Sequence, residues 1–273
     1  MTRARVAGAE AGPVVITGAS GHVGRALQAR LRDLPNEVRP VGRRDRLEQA
    51  LDGATAVIHL AGTLQAKDEP SYEDANVATV RHTVATVTND WSGRLVFLSC
   101  VGADPSSANA YLRTKGVAEQ LVLGAGRAPV VIRSTFVYGP PWDPGPSAEQ
   151  FIAAGRRAVP VVGDGHQLWA PVFVDDVVEA LTRTALNAGI APGIYELGGP
   201  EVISVRTFVA ALTRGQAVHE GRRARPVARV VPHSGPELSP VLAEVLAADS
   251  LPAAPFIADA LDLELTSLRE VYP

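Results

Sequence analysis

Residues 13–31, PVVITGASGHVGRALQARL, constrain this chain more than any other stretch. A short β-branched run, Val14-Val15-Ile16, leads into glycines at 18, 21 and 24, and Val23, Leu27 and Leu31 then recur at helical spacing. A strand that turns straight into a helix leaves the helix's free N–H groups and positive dipole end at the turn, where a phosphate binds. In such a turn Gly18 permits the tight bend, Gly21 lets backbone approach a pyrophosphate, and Gly24 lets the helix lie close on the strand. A glycine triplet alone is common, but one placed after a strand and before a helix marks a dinucleotide-binding loop. Thr17, Ser20, His22 and Val23 belong to the same loop, with His22 placed to border the phosphates.

The pattern then repeats. EVRPVGRR (37–44) reads as a second strand, DRLEQALDGA (45–54) as a short helix and ATAVIHLAG (54–62) as a buried strand. The dozen or so residues between those two strands suffice for one crossover helix and leave little room for an extra strand. SYEDANVATVRHTVATVT (71–88) is helical, and GRLVFLSC (93–100) and APVVIRSTFVYGP (128–140) are further apolar strands. This alternation predicts an α/β Rossmann fold, a doubly wound parallel sheet with its site beyond the carboxyl ends of the strands. An NAD site usually places Asp or Glu at the end of the second strand, but here Gly42 is followed by Arg43 and Arg44. Guanidinium groups suit a 2′-phosphate, so NADP(H) is expected ahead of NAD(H).

Composition sets the limits. A net charge of −3 gives no electrostatic case for nucleic acid or an anionic membrane. The basic run GRRARPVAR (221–229) has no aromatic for base stacking and reads as a solvated loop. No apolar run reaches the roughly 20 residues of a membrane helix. The single cysteine, Cys100, fits a reducing compartment, and the N-terminus has no apolar signal region, so a cytoplasmic location is expected. Six histidines without ligand spacing give no reason to expect a metal.

Seven motifs in order carry a resemblance: TGASGHVG (17–24), VIHLAG (57–62), NVATV (76–80), YLRTK (111–115), VYGPP (137–141), VFVDDV (172–177) and YELGGPE (195–201). Together they resemble the short-chain dehydrogenase/reductase superfamily, in its extended and atypical branches. The nearest likeness is to the nucleotide-sugar epimerase-like group and to relatives of the NAD(P)H-binding accessory subunit of respiratory complex I. The resemblance implies that Tyr111 is the general acid/base and that Lys115 bonds the nicotinamide ribose and lowers the tyrosine pKa. It also implies that Asn76 supports the proton relay and that Leu60, Ala61 and Gly62 line the adenosine side. Ser99 adjoins the cofactor, and helices 71–88 and 109–124 form a dimer interface in many relatives, which makes a homodimer an expectation.

The residues themselves support the Tyr–Lys pair. At i and i+4 on a helix, Tyr111 and Lys115 share a face. Of 26 Lys+Arg only Lys67 and Lys115 are lysine, so a chance Tyr-x-x-x-Lys has a probability of roughly one in 27. The partner hydroxyl is what is missing. Aligning Phe97-Leu98-Ser99 with the family's strand puts Val101, which donates nothing, at the hydroxyl position. Losing one carbonyl-polarising donor costs about 2.7–4 kcal/mol in comparable sites. Cys100 next door is a weak donor, and Ser106 and Ser107 lie in the loop before Tyr111, near enough to substitute.

On the substrate side, Phe136 and Trp169 stand where nucleotide-sugar members carry Asn and Arg, beside Tyr138 in VYGPP. Large aromatics suit an apolar or ring-shaped ligand unless they pack the core of the substrate lobe. Asp175 and Asp176 are expected to cap the helix 177–186. The expected division is a dinucleotide domain, 1–136 and 172–199, with a small discontinuous substrate lobe, 137–171 and 200–273. The leading functional expectation is an NADP(H)-dependent reductase of a small, rather hydrophobic carbonyl compound. A non-catalytic NADP(H)-binding sensor or structural subunit, or an epimerase using the cofactor without net turnover, stands beside it.

Overall fold

The computed structural model describes residues 12–43, 45–87, 91–126, 128–140, 158–187, 189–219, 229–232 and 239–272. Arg44, most of the basic run and the 141–157 part of the expected lobe lie outside the described residues.

The chain runs β1 (Val14–Thr17), α1 (His22–Leu31), β2 (Val38–Val41), the single turn α2 (Leu47–Ala50) and β3 (Ala56–His59). One helical path follows, from α3 (Glu69–Tyr72) through a wider π-turn over Glu73–Ala78 into α4 (Thr79–Thr86). Next come β4 (Arg94–Cys100), α5 (Ala110–Leu123), β5 (Val130–Ser134) and β6 (Val137–Tyr138). After β7 (Ala158–Val161), β8 (Leu168–Trp169) and β9 (Val172–Phe173), helix α6 (Val174–Leu186) leads to β10 (Gly193–Leu197). The remainder is β11 (Ile203–Ser204), α7 (Val205–His219), β12 (Arg229–Pro232), α8 (Pro240–Ala247), α9 (Ile257–Leu261) and α10 (Leu268–Val271).

Six parallel strands form the central sheet in the order β10-β5-β4-β3-β1-β2. A Rossmann sheet runs 3-2-1-4-5-6, so among the described residues this one lacks the third strand. The short 42–55 connection accounts for that, because α2 occupies it alone. The strand order reverses between β1 and β3, and the crevice opens there at the carboxyl ends.

Both faces of the sheet are covered, which is why its strands read as unbroken apolar runs. Val14, Ile16, Ile58, Val96 and Ile132 face α1 and α6. Val15, Val57, Leu95, Phe97 and Val131 face the α4–α5 side. A third cluster joins Tyr138, Trp169, Phe208 and Leu212 to Leu268 and Tyr272 of the C-terminal segment.

Asp175 and Asp176 lie in the first turn of α6, whose N-cap is Phe173. Asp176 does not cap. Its buried carboxylate accepts from Thr266 N (2.8 Å) and Thr266 Oγ1 (2.8 Å), fastening the C-terminal segment to α6 across 90 residues. Among the described residues no helix is long and apolar enough to cross a membrane.

Candidate functional site

The glycine turn behaves as its spacing requires. Gly18 has φ +68°, and a Cβ there would stand 2.5 Å from Ala61 N, so the turn presses on the end of β3. Gly24 packs on the Gly18–Ala19 backbone, again with no room for a side chain. Gly21 is different: a Cβ on it would meet only Gly18 O, at 3.3 Å, so its outer side is open. Gly21 is the N-cap of α1 and supplies no side-chain cap, and the helix has no acidic residue in its first turn. Backbone N–H groups therefore face an open cradle, which fits a dinucleotide's pyrophosphate. Gly18→Ala should cost about 2 kcal/mol or more, from the left-handed φ together with the clash on Ala61. Thermal denaturation would show it as a lower midpoint, and calorimetry as weakened dinucleotide binding.

Thr17, buried at the end of β1, accepts weakly from Ala61 N (3.4 Å), which holds Leu60 and Ala61 beside the loop. Ser20 is exposed and Val23 half-buried at the cradle. The His22 ring turns away from it: Nε2 lies 2.7 Å from Gly139 O and ties the turn to the segment after β6. Arg43 is exposed just past the end of β2. Asp45 Oδ2 accepts from Gly42 N (2.7 Å) and folds back to the strand end. An aspartate one turn later in sequence thus reaches the same place as one on the strand.

Tyr111 and Lys115 lie on the inner face of α5, against the carboxyl end of β4. Asn109 starts that helix, its Oδ1 accepting from Tyr111 N (3.1 Å) and Leu112 N (3.3 Å). Its Nδ2 donates to Glu244 Oε2 (2.8 Å) and Val241 O (3.0 Å), so α8 is anchored two residues from Tyr111. Lys115 is buried, donates to Leu98 O (2.7 Å) and sits 4.1 Å from the centre of the Phe97 ring. Burial depresses its pKa to about 8, while Cys100 and Glu119 pull it upward.

Tyr111 goes the other way from the expectation. Burial pushes its phenol well above the ordinary value, and Cys100 and the neighbouring Tyr72 add to the rise. The Tyr72 and Tyr111 rings lie 6.4 Å apart. Burial raises the Cys100 thiol as well, and the neighbouring Lys115 and Tyr111 pull it back down. Tyr111 is therefore a proton-holding acid here, with Lys115 committed to the Leu98 carbonyl. His59, buried at the end of β3, is held neutral, its pKa pushed down to about 3 mainly by burial and then by Lys115.

Three other expectations need correcting. Asn76 lies in the π-turn with its amide fully engaged: Oδ1 accepts from Thr63 N (2.7 Å), and Nδ2 donates to Thr63 O (3.2 Å) and Thr114 Oγ1 (3.1 Å). It braces the loop after Gly62 against α5 rather than extending a relay. Ser106 and Ser107 do not replace the missing hydroxyl. Ser106 Oγ donates to Asp104 Oδ1 (2.7 Å) and Ser107 Oγ accepts from Asn109 N (3.1 Å), both within the local turn. Trp169 is a core residue and the half-buried Phe136 packs against it, the rings stacked with centroids 4.6 Å apart and Phe136 resting on Phe208, and Trp169 Nε1 donates to Ala248 O (3.1 Å). Tyr138 is equally buried, its hydroxyl unpartnered and its pKa raised by burial. Val101 is half-buried just past β4, and the buried Ser99 hydroxyl has no partner.

Glu119 and Arg133 escaped the sequence reading. Arg133 Nε and Nη2 donate to Glu119 Oε1 (2.9 Å) and Oε2 (2.6 Å). The only sequence signal was the placement of Glu119 four residues beyond Lys115 on the same helix.

Known proteins share this framework. The chain is 30% identical over 169 residues to NADH dehydrogenase [ubiquinone] 1 alpha subcomplex subunit 9, mitochondrial, of Arabidopsis thaliana, covering 59% of this chain and 40% of that protein. It is 29% identical over 216 residues to dTDP-4-dehydrorhamnose reductase of Mycolicibacterium smegmatis, covering 70% and 65%. The chain thus spans less than two thirds of the length of either relative. The structure of MoeE5 in complex with UDP-glucose and NAD superposes with a TM-score of 0.75 at 23% identity, over 95% of this chain and 96% of that one. The family model for NAD dependent epimerase/dehydratase proteins matches residues 14–198, from the first strand of the central sheet to the end of its last. A match that embraces the whole sheet and both halves of its crevice leaves one conclusion: the chain belongs to the NAD-dependent epimerase/dehydratase family of short-chain dehydrogenase/reductase proteins.

Proposed function

We propose that the protein is a nicotinamide-dinucleotide-dependent reductase of a small carbonyl compound. The observation that carries this is the buried Lys115 ammonium one helical turn from the Tyr111 phenol, at the strand ends beside an uncapped glycine cradle. Gly18, Gly21 and Gly24 with the first turn of α1 would hold the pyrophosphate, and Leu60–Gly62 the adenosine side. The bound dinucleotide supplies the hydride. Tyr111, kept protonated by burial, gives its proton to the substrate oxygen as that oxygen gains charge. The Lys115 ammonium stabilises the phenolate left behind, and solvent returns the proton. Cys100, next to the phenol, orients it, and Val101 leaves the carbonyl one donor short.

NADP(H) is the favoured cofactor because the Arg43 guanidinium is exposed at the adenosine end. A second reading, NAD(H), has the Asp45 carboxylate in its favour, and NAD is named with the MoeE5 neighbour. Sugar nucleotides are disfavoured as substrates, since the stacked Phe136–Trp169 pair offers no charge for a diphosphate. Relatedness to a subunit of NADH dehydrogenase supports a dinucleotide-binding protein without turnover as the alternative.

Calorimetry with NADPH and NADH tests the reading. Binding in the micromolar range is expected, with NADPH tighter and Arg43→Ala erasing the difference. No heat with either dinucleotide at millimolar concentration would sink it.

A further inference from the structure

We propose that Glu119 and Arg133 form the positioning element of the Tyr111–Lys115 couple, fixing the helix face that carries both and placing a negative charge one turn beyond Lys115. The proposal rests on the role given above to those two residues.

Tyr111, Lys115 and Glu119 stand at i, i+4 and i+8 on one face of α5. Glu119 is 3% exposed, and a lone carboxylate there would face a large desolvation cost. Arg133, on β5, meets it with two parallel hydrogen bonds of 2.9 and 2.6 Å, the geometry that restricts both translation and rotation. The same guanidinium donates to Ala103 O (3.1 Å) and stands 3.6 Å from Glu196 Oε1 on β10. One side chain therefore ties together α5, the loop that leaves β4 and leads into Tyr111, and the outer strand of the sheet. That is more than helix packing needs.

The charges around Lys115 complete the case. On its own helix Tyr111 and Glu119 stand one turn to either side of it, Cys100 of β4 and Glu119 act on its charge, and it acts in turn on the neutral His59 of β3, with Arg133 of β5 paired to Glu119. Burial disfavours the ammonium, and Cys100 first and then Glu119, the one carboxylate of the set, oppose burial. Arg133 in turn keeps Glu119 in place and leaves it only part of its charge to act on Lys115.

The test exploits lysine scarcity. Only Lys67, whose side chain is 83% exposed, and buried Lys115 would report in protein labelled with carbon-13 at lysine. Titrating that signal needs no substrate. In Glu119→Gln, which keeps the side chain's shape, the Lys115 midpoint should fall by about half a pH unit or more. Glu119→Asp, retaining the charge, should bring it back toward the wild-type value. An unchanged midpoint in Glu119→Gln overturns the proposal even where the melting temperature drops, because a purely structural pair would lower stability and leave the titration alone. If that variant does not fold, Arg133→Gln reads the same coupling with the opposite sign. An unpaired Glu119 should raise the midpoint, and no rise overturns the proposal. A wild type that reduces no carbonyl compound, with the Lys115 signal still shifting in Glu119→Gln, would defeat the functional reading and leave this one standing.

Discussion

Lys115→Met should give a cofactor-free protein that is more stable than the wild type at pH 7 and inactive in any dinucleotide-dependent reduction. The ammonium is buried, and its pKa drops from 10.5 to about 8, so the folded state holds that proton less firmly than the unfolded one. Each pKa unit corresponds to about 1.4 kcal/mol, and some of the penalty returns when the Leu98 and Phe97 contacts are lost, which leaves a gain of about 2 kcal/mol. For a chain of this length that raises the melting temperature by about 5 °C. The sign follows from the direction of the shift. Below about pH 8 lysine is charged in both states and the wild type bears the full cost. Between about 8 and 10.5 the unfolded state binds more protons, wild-type stability climbs with pH, and the advantage of the variant fades. Melting curves at pH 7 and pH 10 check both parts. A Lys115→Met protein less stable than the wild type at pH 7 would mean that the ammonium is satisfied where it lies and that its placement needs no functional explanation.

The second large effect belongs to Tyr111. Tyr111→Phe should lower kcat for carbonyl reduction by about 10²–10⁴, the range a positioned proton donor contributes, with dinucleotide affinity unchanged within a factor of about two. The ring and its packing on Tyr72 survive the change, and only the hydroxyl next to Cys100 is lost, so the melting temperature should hardly move. The alternative of a binding protein without turnover makes the opposite forecast: binding intact and no rate to lose. Single-turnover rates and calorimetry on one preparation separate the two. Because burial keeps the phenol protonated well above neutral pH, the wild-type rate should not fall between pH 6 and 8 through loss of the Tyr111 proton.

Much of this was legible along the chain, and the legible parts share a cause. The glycine turn, the missing third strand and the Tyr–Lys spacing are local, set by residues within a dozen positions of one another. Helix and strand periodicity carries such information directly. The aromatic pair shows the limit. Phe136 and Trp169 are 33 residues apart, and whether they line a ligand or each other depends on where α7 brings Phe208. Asn76 shows it again, since the loop that uses up its amide is formed by Thr63 and is held only once α5 packs alongside. Ser106 and Ser107 lie on the legible side: an Asp-x-Ser turn and an Asn before a helix are local signals that bind those hydroxyls at home.

The sequence by itself determined the Rossmann sheet, the glycine turn and the placing of Tyr111 and Lys115 one turn apart on α5, because pattern and spacing act over a few residues. Tertiary structure alone decided the chemistry of those side chains. Burial, which depends on the whole molecule, made Lys115 a weaker base and Tyr111 a weaker acid that holds its proton more firmly. Glu119, Arg133 and Glu196 come from α5, β5 and β10, and their charges meet because the strand order places β5 between β4 and β10. Electrostatics in a low-dielectric interior depends on distances across the fold, and spacing along a chain does not record them.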